Sequence, residues 1–298
     1  MALTQTNWVA GLIRERFPDL TVEIVVIKTT GDIMQDVSLV QIGGKGVFVK
    51  EIEEALLNGR VDLAVHSMKD VPAELPAGLE IGVTPEREDP RDVLISRENR
   101  KIEAMPKGAR IGTGSLRRGY QLLNALPDIE IVPLRGNLDT RIKKIELDSL
   151  AGVILAASGL KRMGWADRVS QYLSVELMLP AVGQGVLGLE LRSGDDETRE
   201  VTSFLNHETT WLEVGAERAF LKRLGGGCQL PIAAYGKIQG NQLLVRGLVG
   251  GMDGRMMVRD EVFGPLMSGQ ALGEELADKI LARGGRELLD EVAKSCLH

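Results

Sequence analysis

Apolar residues recur along this chain with two periods, one helical and one strand-like, in alternation. Residues 7–16 carry an amphipathic helical pattern, and 21–28 form a run rich in Val and Ile that predicts a strand. Residues 29–32 (Thr-Thr-Gly-Asp) read as a turn, and 40–46 as a flexible, glycine-rich loop. A helix over 49–58 follows, with Gly59 as its stop, and 61–66 is a short apolar strand, wholly buried if it is parallel. A charged segment broken by proline, 87–92, marks a crossing between domains.

Beyond it the rhythm repeats three times. Strands over 109–113, 129–134 and 152–156 lead into Gly114-Ser115, Arg135-Gly136-Asn137 and Ser158-Gly159. Helices follow, one over 116–126 and one holding Arg141. Residues 179–185, punctuated by Pro and Gly, predict the return crossing, then a strand over 186–191 and a helix over 195–205. After 206–207 the pattern changes. A helix over 209–224, three strands near 232–238, 242–249 and 256–263, and helices over 268–282 and 286–294 complete the chain. Gly240-Asn241 and Asp253-Gly254 are hairpin signals. This last part predicts an α+β domain, a small antiparallel sheet with helices on one face.

Composition adds limits. The 298 residues suffice for two or three domains, each with its own core. The net charge of −6 argues against a general nucleic-acid binder, and 4% aromatics against a base-stacking platform. Cys228 and Cys296 are the two cysteines, too few for a disulfide framework or a metal-ligand pattern. No apolar run is long enough to span a membrane, and the start lacks the features of a secretory signal. A cytoplasmic protein is the expectation, with neither membrane nor nucleic acid as partner.

Charge is unevenly placed. Between Lys107 and Arg162 ten basic residues oppose five acids, which is +5 inside a −6 chain. A solvated basic face is the ordinary explanation. Yet six of the ten are arginines in turns, the geometry that suits carboxylate or phosphate recognition. Arg117 and Arg118 stand in the first turn of a helix capped by Ser115, where they oppose the helix dipole, and a bound anion would account for them. A polyanionic small molecule fits this placement better than a polymer.

Two further stretches can carry chemistry. His66-Ser67-Met68-Lys69-Asp70-Val71-Pro72 lies at a strand end, where ligands bind in open α/β sheets. Its Lys-Asp pair is either an inconsequential surface ion pair or a carboxylate facing a cavity where a cation must be stabilised. His66 reads as a structural hydrogen-bonder. Leu224-Gly225-Gly226-Gly227-Cys228 places a thiol on a bare glycine loop, either an inert cysteine on a turn or a nucleophile presented to a bulky group.

Together these stretches resemble the porphobilinogen deaminase (hydroxymethylbilane synthase) family. The resemblance rests on Gly44-Lys45-Gly46-Val47-Phe48-Val49-Lys50-Glu51, the His66–Pro72 stretch, Gly112-Thr113-Gly114-Ser115-Leu116-Arg117-Arg118, Leu134-Arg135-Gly136-Asn137, Pro180-Ala181-Val182-Gly183-Gln184-Gly185 and Gly225-Gly226-Gly227-Cys228. All six occur in the family's order and spacing. The resemblance implies a transferase that condenses four porphobilinogen molecules head to tail, with loss of ammonia, into hydroxymethylbilane. It implies a dipyrromethane cofactor held through a thioether on Cys228, with Asp70 assisting amine departure and stabilising an azafulvene-like cation. Ser67, Lys69, Thr113, Ser115, Arg117 and Arg118 would bind the cofactor, and Gln5, Arg135, Asn137, Arg141 and Arg162 the substrate.

The implied fold is α/β: two doubly wound, periplasmic-binding-protein-like domains plus a small α+β C-terminal domain, in a monomer. Residues 1–86 with 186–205 would form the first, 91–180 the second and 208–298 the third. A two-lobed anion receptor or an effector domain would share the first two, but needs neither the glycine–cysteine loop nor the third. The chain departs from the family pattern at Gln41, where some relatives carry lysine, and at Gly114, where serine is common. It also begins after the usual first strand, with its Arg and Ser, so 21–28 and 61–66 would flank a vacant slot. The expectation is that about a dozen upstream residues supply that strand.

Overall fold

Helices and strands alternate along the chain and gather into three sheets in the computed structural model, which describes residues 1–29, 49–226, 230–251 and 254–295. The first helix, α1 (Ala2–Arg16), is longer than its pattern predicts and buries Val9, Ala10 and Ile13. Helix α2 (Lys50–Leu57) precedes β1 (Ala64–Ser67), and β2 (Leu79–Val83) comes shortly after. These two strands flank β8 (Leu187–Arg192), which is antiparallel to both. The α1 face packs against Val83, Leu187 and Leu189 of this sheet.

Two expectations about this part need correcting. The 61–66 strand is not parallel to its described neighbour, and its burial alternates instead of being complete. Residues 21–28 form no strand, although their exposed and half-buried positions alternate. A β-rich run becomes a strand only when a neighbour supplies its ladder, and none among the described residues does.

The second sheet is built from β3 (Asp92–Ser96), β4 (Arg110–Thr113), β5 (Glu130–Pro133), β6 (Gly152–Ala156) and β7 (Gln171–Tyr172). Their order is β5-β4-β6-β3-β7, with β4 parallel to β5 and β6, and β3 antiparallel to β6 and β7. Alternate residues enter two cores. Val93, Ile95, Val153 and Leu155 pack on one face, and Leu94, Ile111 and Ile154 on the other. Burial on both faces is why β6 reads as an unbroken apolar run. Helices α3 (Leu116–Ala125), α4 (Leu138–Leu147) and α5 (Ala157–Arg162) follow β4, β5 and β6 directly.

Helix α6 (Asp196–Ser203) leads to α7 (Glu208–Arg223), and then the α+β domain forms as expected. Its sheet is a meander of β9 (Ile232–Gln239), β10 (Gln242–Gly250) and β11 (Met257–Pro265), with β10 central. Helices α7, α8 (Gly269–Ile280) and α9 (Arg286–Ser295) cover it, with Phe220, Leu276 and Ile280 fully buried in the shared core. The fold class is therefore α/β with a small α+β domain at the C-terminal end.

Candidate active site

The end of β1 presents the first cluster. Ser67 closes the strand, and Met68–Asp70 turn through one 3-10 helix whose Val71 N–H donates to the Met68 carbonyl at 3.1 Å. Met68 is fully buried and anchors the turn, its N–H donating to Val186 O at 2.9 Å. The turn leaves Lys69 half-buried and Asp70 exposed. Burial pushes the Lys69 ammonium below its ordinary value, as do the neighbouring charges of Arg118 and Arg117, while Asp70 and Asp92 oppose the shift. Gln5, buried on α1, donates to Ser67 Oγ at 3.0 Å. His66 is structural, as its place predicts: its Nε2 lies 2.8 Å from Glu190 Oε2, with both side chains buried.

Arginine dominates the second cluster. Arg117 and Arg118 sit in the first turn of α3, behind Ser115, but both are buried. Ser115 occupies the cap position without making the side-chain cap bond expected of it, and its own N–H donates to Thr113 Oγ1 at 3.2 Å. The two arginines converge on Asp92, which is fully buried. Arg117 Nη1 reaches Oδ2 at 2.8 Å, and Arg118 Nη2 reaches Oδ1 at 2.8 Å. Gln184 Nε2 donates to the same Oδ1 at 3.0 Å. Burial alone would raise the Asp92 pKa, yet the charges of Arg117 and Arg118 bring it down to about 2. Arg117 Nη1 also donates to Leu179 O at 2.6 Å, whereas its buried Nε has no hydrogen-bond partner among the described residues.

The remaining predicted residues follow the neighbouring strands: Arg135 and Asn137 in the loop after β5, Arg141 on α4 and Arg162 at the end of α5. Arg135 and Asn137 are exposed, and Asn137 caps α4 by accepting from Thr140 N at 2.9 Å. Arg141 Nε donates to Gly136 O at 2.8 Å. Burial lowers the Arg141 pKa, as do the like charges of Arg118 and Arg135, and Asp70 opposes them. Asp70 and Arg141 are thus electrostatic neighbours. Arg162 Nη2 donates to Gly185 O at 2.7 Å and lines a cleft of about 550 Å³ with Gln5, Thr4, Trp8, Glu86, Glu88 and Lys161. Gly114 has a local reason to be glycine, since a Cβ there would meet Leu134 O at 2.3 Å.

Cys228 lies outside the described residues, as do Gln41 and Cys296. The approach to Cys228 is described. Helix α7 ends where Gly225, at φ +66°, donates to Lys222 O and Gly226 donates to Leu221 O, a glycine stop of the usual left-handed kind.

Two family models match the chain that carries these residues. One, "Porphobilinogen deaminase, dipyromethane cofactor binding domain", covers residues 1–200, and "Porphobilinogen deaminase, C-terminal domain" covers 211–282. The chain belongs to the porphobilinogen deaminase family. It is 57% identical over 292 residues to the porphobilinogen deaminase of Syntrophus aciditrophicus, spanning 98% of this chain and 95% of that one. The enzyme of that name from Pelobacter propionicus is 54% identical, over 98% of this chain and 94% of that one. Among solved structures the chain is similar to the periplasmic VFT2 domain of Bordetella pertussis BvgS, at 16% identity and TM-score 0.36, covering 66% of this chain and 74% of that one.

Two buried arginine partners escape sequence reasoning. Asp92 falls in the 87–92 segment read as a crossing, yet it opens β3, and the apolar run 93–95 directly after it is the signal for that strand. Two arginines in one helical first turn also require a counter-charge somewhere. Nothing in the local sequence points to Glu217, which is buried on α7 and bonds Arg87.

Proposed function

We propose that Asp70 carries the chemistry of this deaminase and that the surrounding arginines carry its recognition. The reaction joins four porphobilinogen molecules head to tail into hydroxymethylbilane, in tetrapyrrole biosynthesis. In each condensation the aminomethyl carbon loses its nitrogen as ammonia and bonds the free carbon of the next pyrrole, which gives up a proton. A cation develops beside a pyrrole nitrogen on the way. A carboxylate fixed at a strand end offsets that charge without reorganising. The observation that carries this reading is the placement of Asp70: exposed on its turn, next to Lys69, and in the electrostatic field of Arg141.

The dipyrromethane of this family brings two rings and hence four carboxylates. The residues present fit such a group: Lys69, Arg117 and Arg118 lie in one another's electrostatic fields, and the buried Nε of Arg117 has no hydrogen-bond partner among the described residues. Ser67, Lys69, Thr113, Ser115, Arg117 and Arg118 would hold it, with Cys228 as the thioether anchor. When bound, it supplies the pyrrole end on which the product grows. Arg135, Arg141, Arg162, Gln5 and Asn137 would take the carboxylates of incoming substrate. We also read the chain as a cytoplasmic monomer of three domains (1–86 with 186–205, 91–180, and 208–298). The pairing of β8 with β1 and β2 supports joining 186–205 to 1–86.

The test is Asp70→Asn against Asp70→Glu. The amide should lose turnover by about 100-fold or more with the fold intact, and the longer acid should keep part of it. A near-normal rate in Asp70→Asn would contradict the assignment.

A further inference from the structure

Asp92 is fully buried, yet the two arginines that open α3 both converge on it. Its carboxylate is fully buried at the first position of β3. One oxygen lies 2.8 Å from Arg117 Nη1 as an ion pair, and the other accepts from Arg118 Nε at 3.0 Å and Gln184 Nε2 at 3.0 Å and lies 2.8 Å from Arg118 Nη2. Gln184 comes from the return crossing and also donates to Pro90 O on the outward crossing at 2.6 Å. Asp92 therefore ties both guanidinium groups of α3 to both crossings.

The charge balance gives this arrangement a consequence. Arg118 lies in the electrostatic fields of Lys69, Arg117 and Arg141, with Asp70 and Asp92 as the anions near them. Packing so many cations together raises their free energy unless an anion sits among them, and a buried anion does so most strongly. Asp92 is too deep to be replaced by a ligand and compensates only part of the excess. The guanidinium groups are fixed in advance, and a net positive field remains for an incoming polycarboxylate. Preorganised donors bind without the cost of assembling them afterwards.

We propose that Asp92 is the positioning residue of the arginine array, holding Arg117 and Arg118 in the arrangement that accepts the carboxylates of the dipyrromethane. The inference rests on the reading that these two arginines hold the cofactor. Asp92 does not touch it and acts through them.

The experiment compares intact masses and melting temperatures of purified Asp92→Asn, Asp92→Glu, Arg118→Met and Leu150→Ala proteins. Leu150 is fully buried in a core of the same sheet, away from the arginines, and its truncation supplies a control that is destabilised only. The expected result is that Leu150→Ala melts lower but keeps its cofactor mass. Asp92→Asn should fall about tenfold or more in loaded fraction, as for a lost bond to a charged group. Asp92→Glu keeps the charge but sets it one methylene farther out, and should recover part of the loading. If both Asp92 variants load as fully as Leu150→Ala while Arg118→Met is empty, the inference is overturned and the arginine reading stands. If Arg118→Met also loads fully, both are overturned. Should Asp92→Asn fail to fold, the loading of Asp92→Glu against Leu150→Ala decides alone.

Discussion

Arg87 Nη1 donates to Glu217 Oε1 at 2.5 Å, with both side chains buried. The same carboxylate accepts from Gly183 N at 2.7 Å and Gly236 N at 2.8 Å, and the Arg87 guanidinium stacks over Tyr235 at 5.0 Å. One side chain of α7 thus fastens the outward crossing, the return crossing and β9. Losing it strands a buried guanidinium and two amides. Glu217→Gln should cost about 3 kcal/mol of unfolding free energy in urea. A loss below about 1 kcal/mol would mean that the clasp is incidental.

Much of this fold was legible because its periods were clean. Strand 152–156 and helix 116–125 emerge within a residue of their predicted limits, since a strand buried on both faces and an amphipathic helix leave strong patterns. Residues 21–28 mislead because pattern does not supply a hydrogen-bonding neighbour. The strands β2 and β3 were hidden among charges and prolines, where local punctuation outweighs a short apolar run. The site was legible in its residue types and not in its layers. Arginine beside glycine signals anion binding, but only the fold shows that Arg117 and Arg118 are buried against Asp92 while Arg135 is exposed.

Acid should loosen the arginine array. The Asp92 pKa is depressed to about 2, so its contribution is fully present above the unfolded value and is lost as pH falls through the folded one. Between about pH 4 and pH 2 the wild type should shed about 2 kcal/mol through this group. Asp92→Asn should be weaker at neutral pH and lack that component. Parallel stability curves for the two proteins across this window would contradict it.

Glu53 points the other way. Burial, then the like charge of Glu190, raises its pKa against the opposing effect of His66. A carboxyl that is harder to ionise when folded destabilises the native state at neutral pH, and the penalty fades as pH falls toward 4.5. Glu53→Gln should therefore melt about 2–4 °C higher at pH 7, with the gain shrinking in acid. A lower melting temperature at pH 7 would count against it.

The arginines should separate by stage. Removing Arg117 or Arg118 should yield cofactor-free protein. Removing Arg135, Arg141 or Arg162 should leave loaded protein that turns over at least about tenfold more slowly and accumulates masses above the loaded form. Identical mass profiles for all five substitutions would remove the distinction.

The proposed chemistry turns on a covalent group at Cys228, and the intact mass of the purified protein reads it directly. The wild type should be heavier than its sequence by one dipyrromethane, and Cys228→Ser should match its sequence mass and be inactive. Replacing Cys296 should change neither. A wild type at sequence mass, or a Cys228→Ser protein that keeps the added mass, would contradict the account.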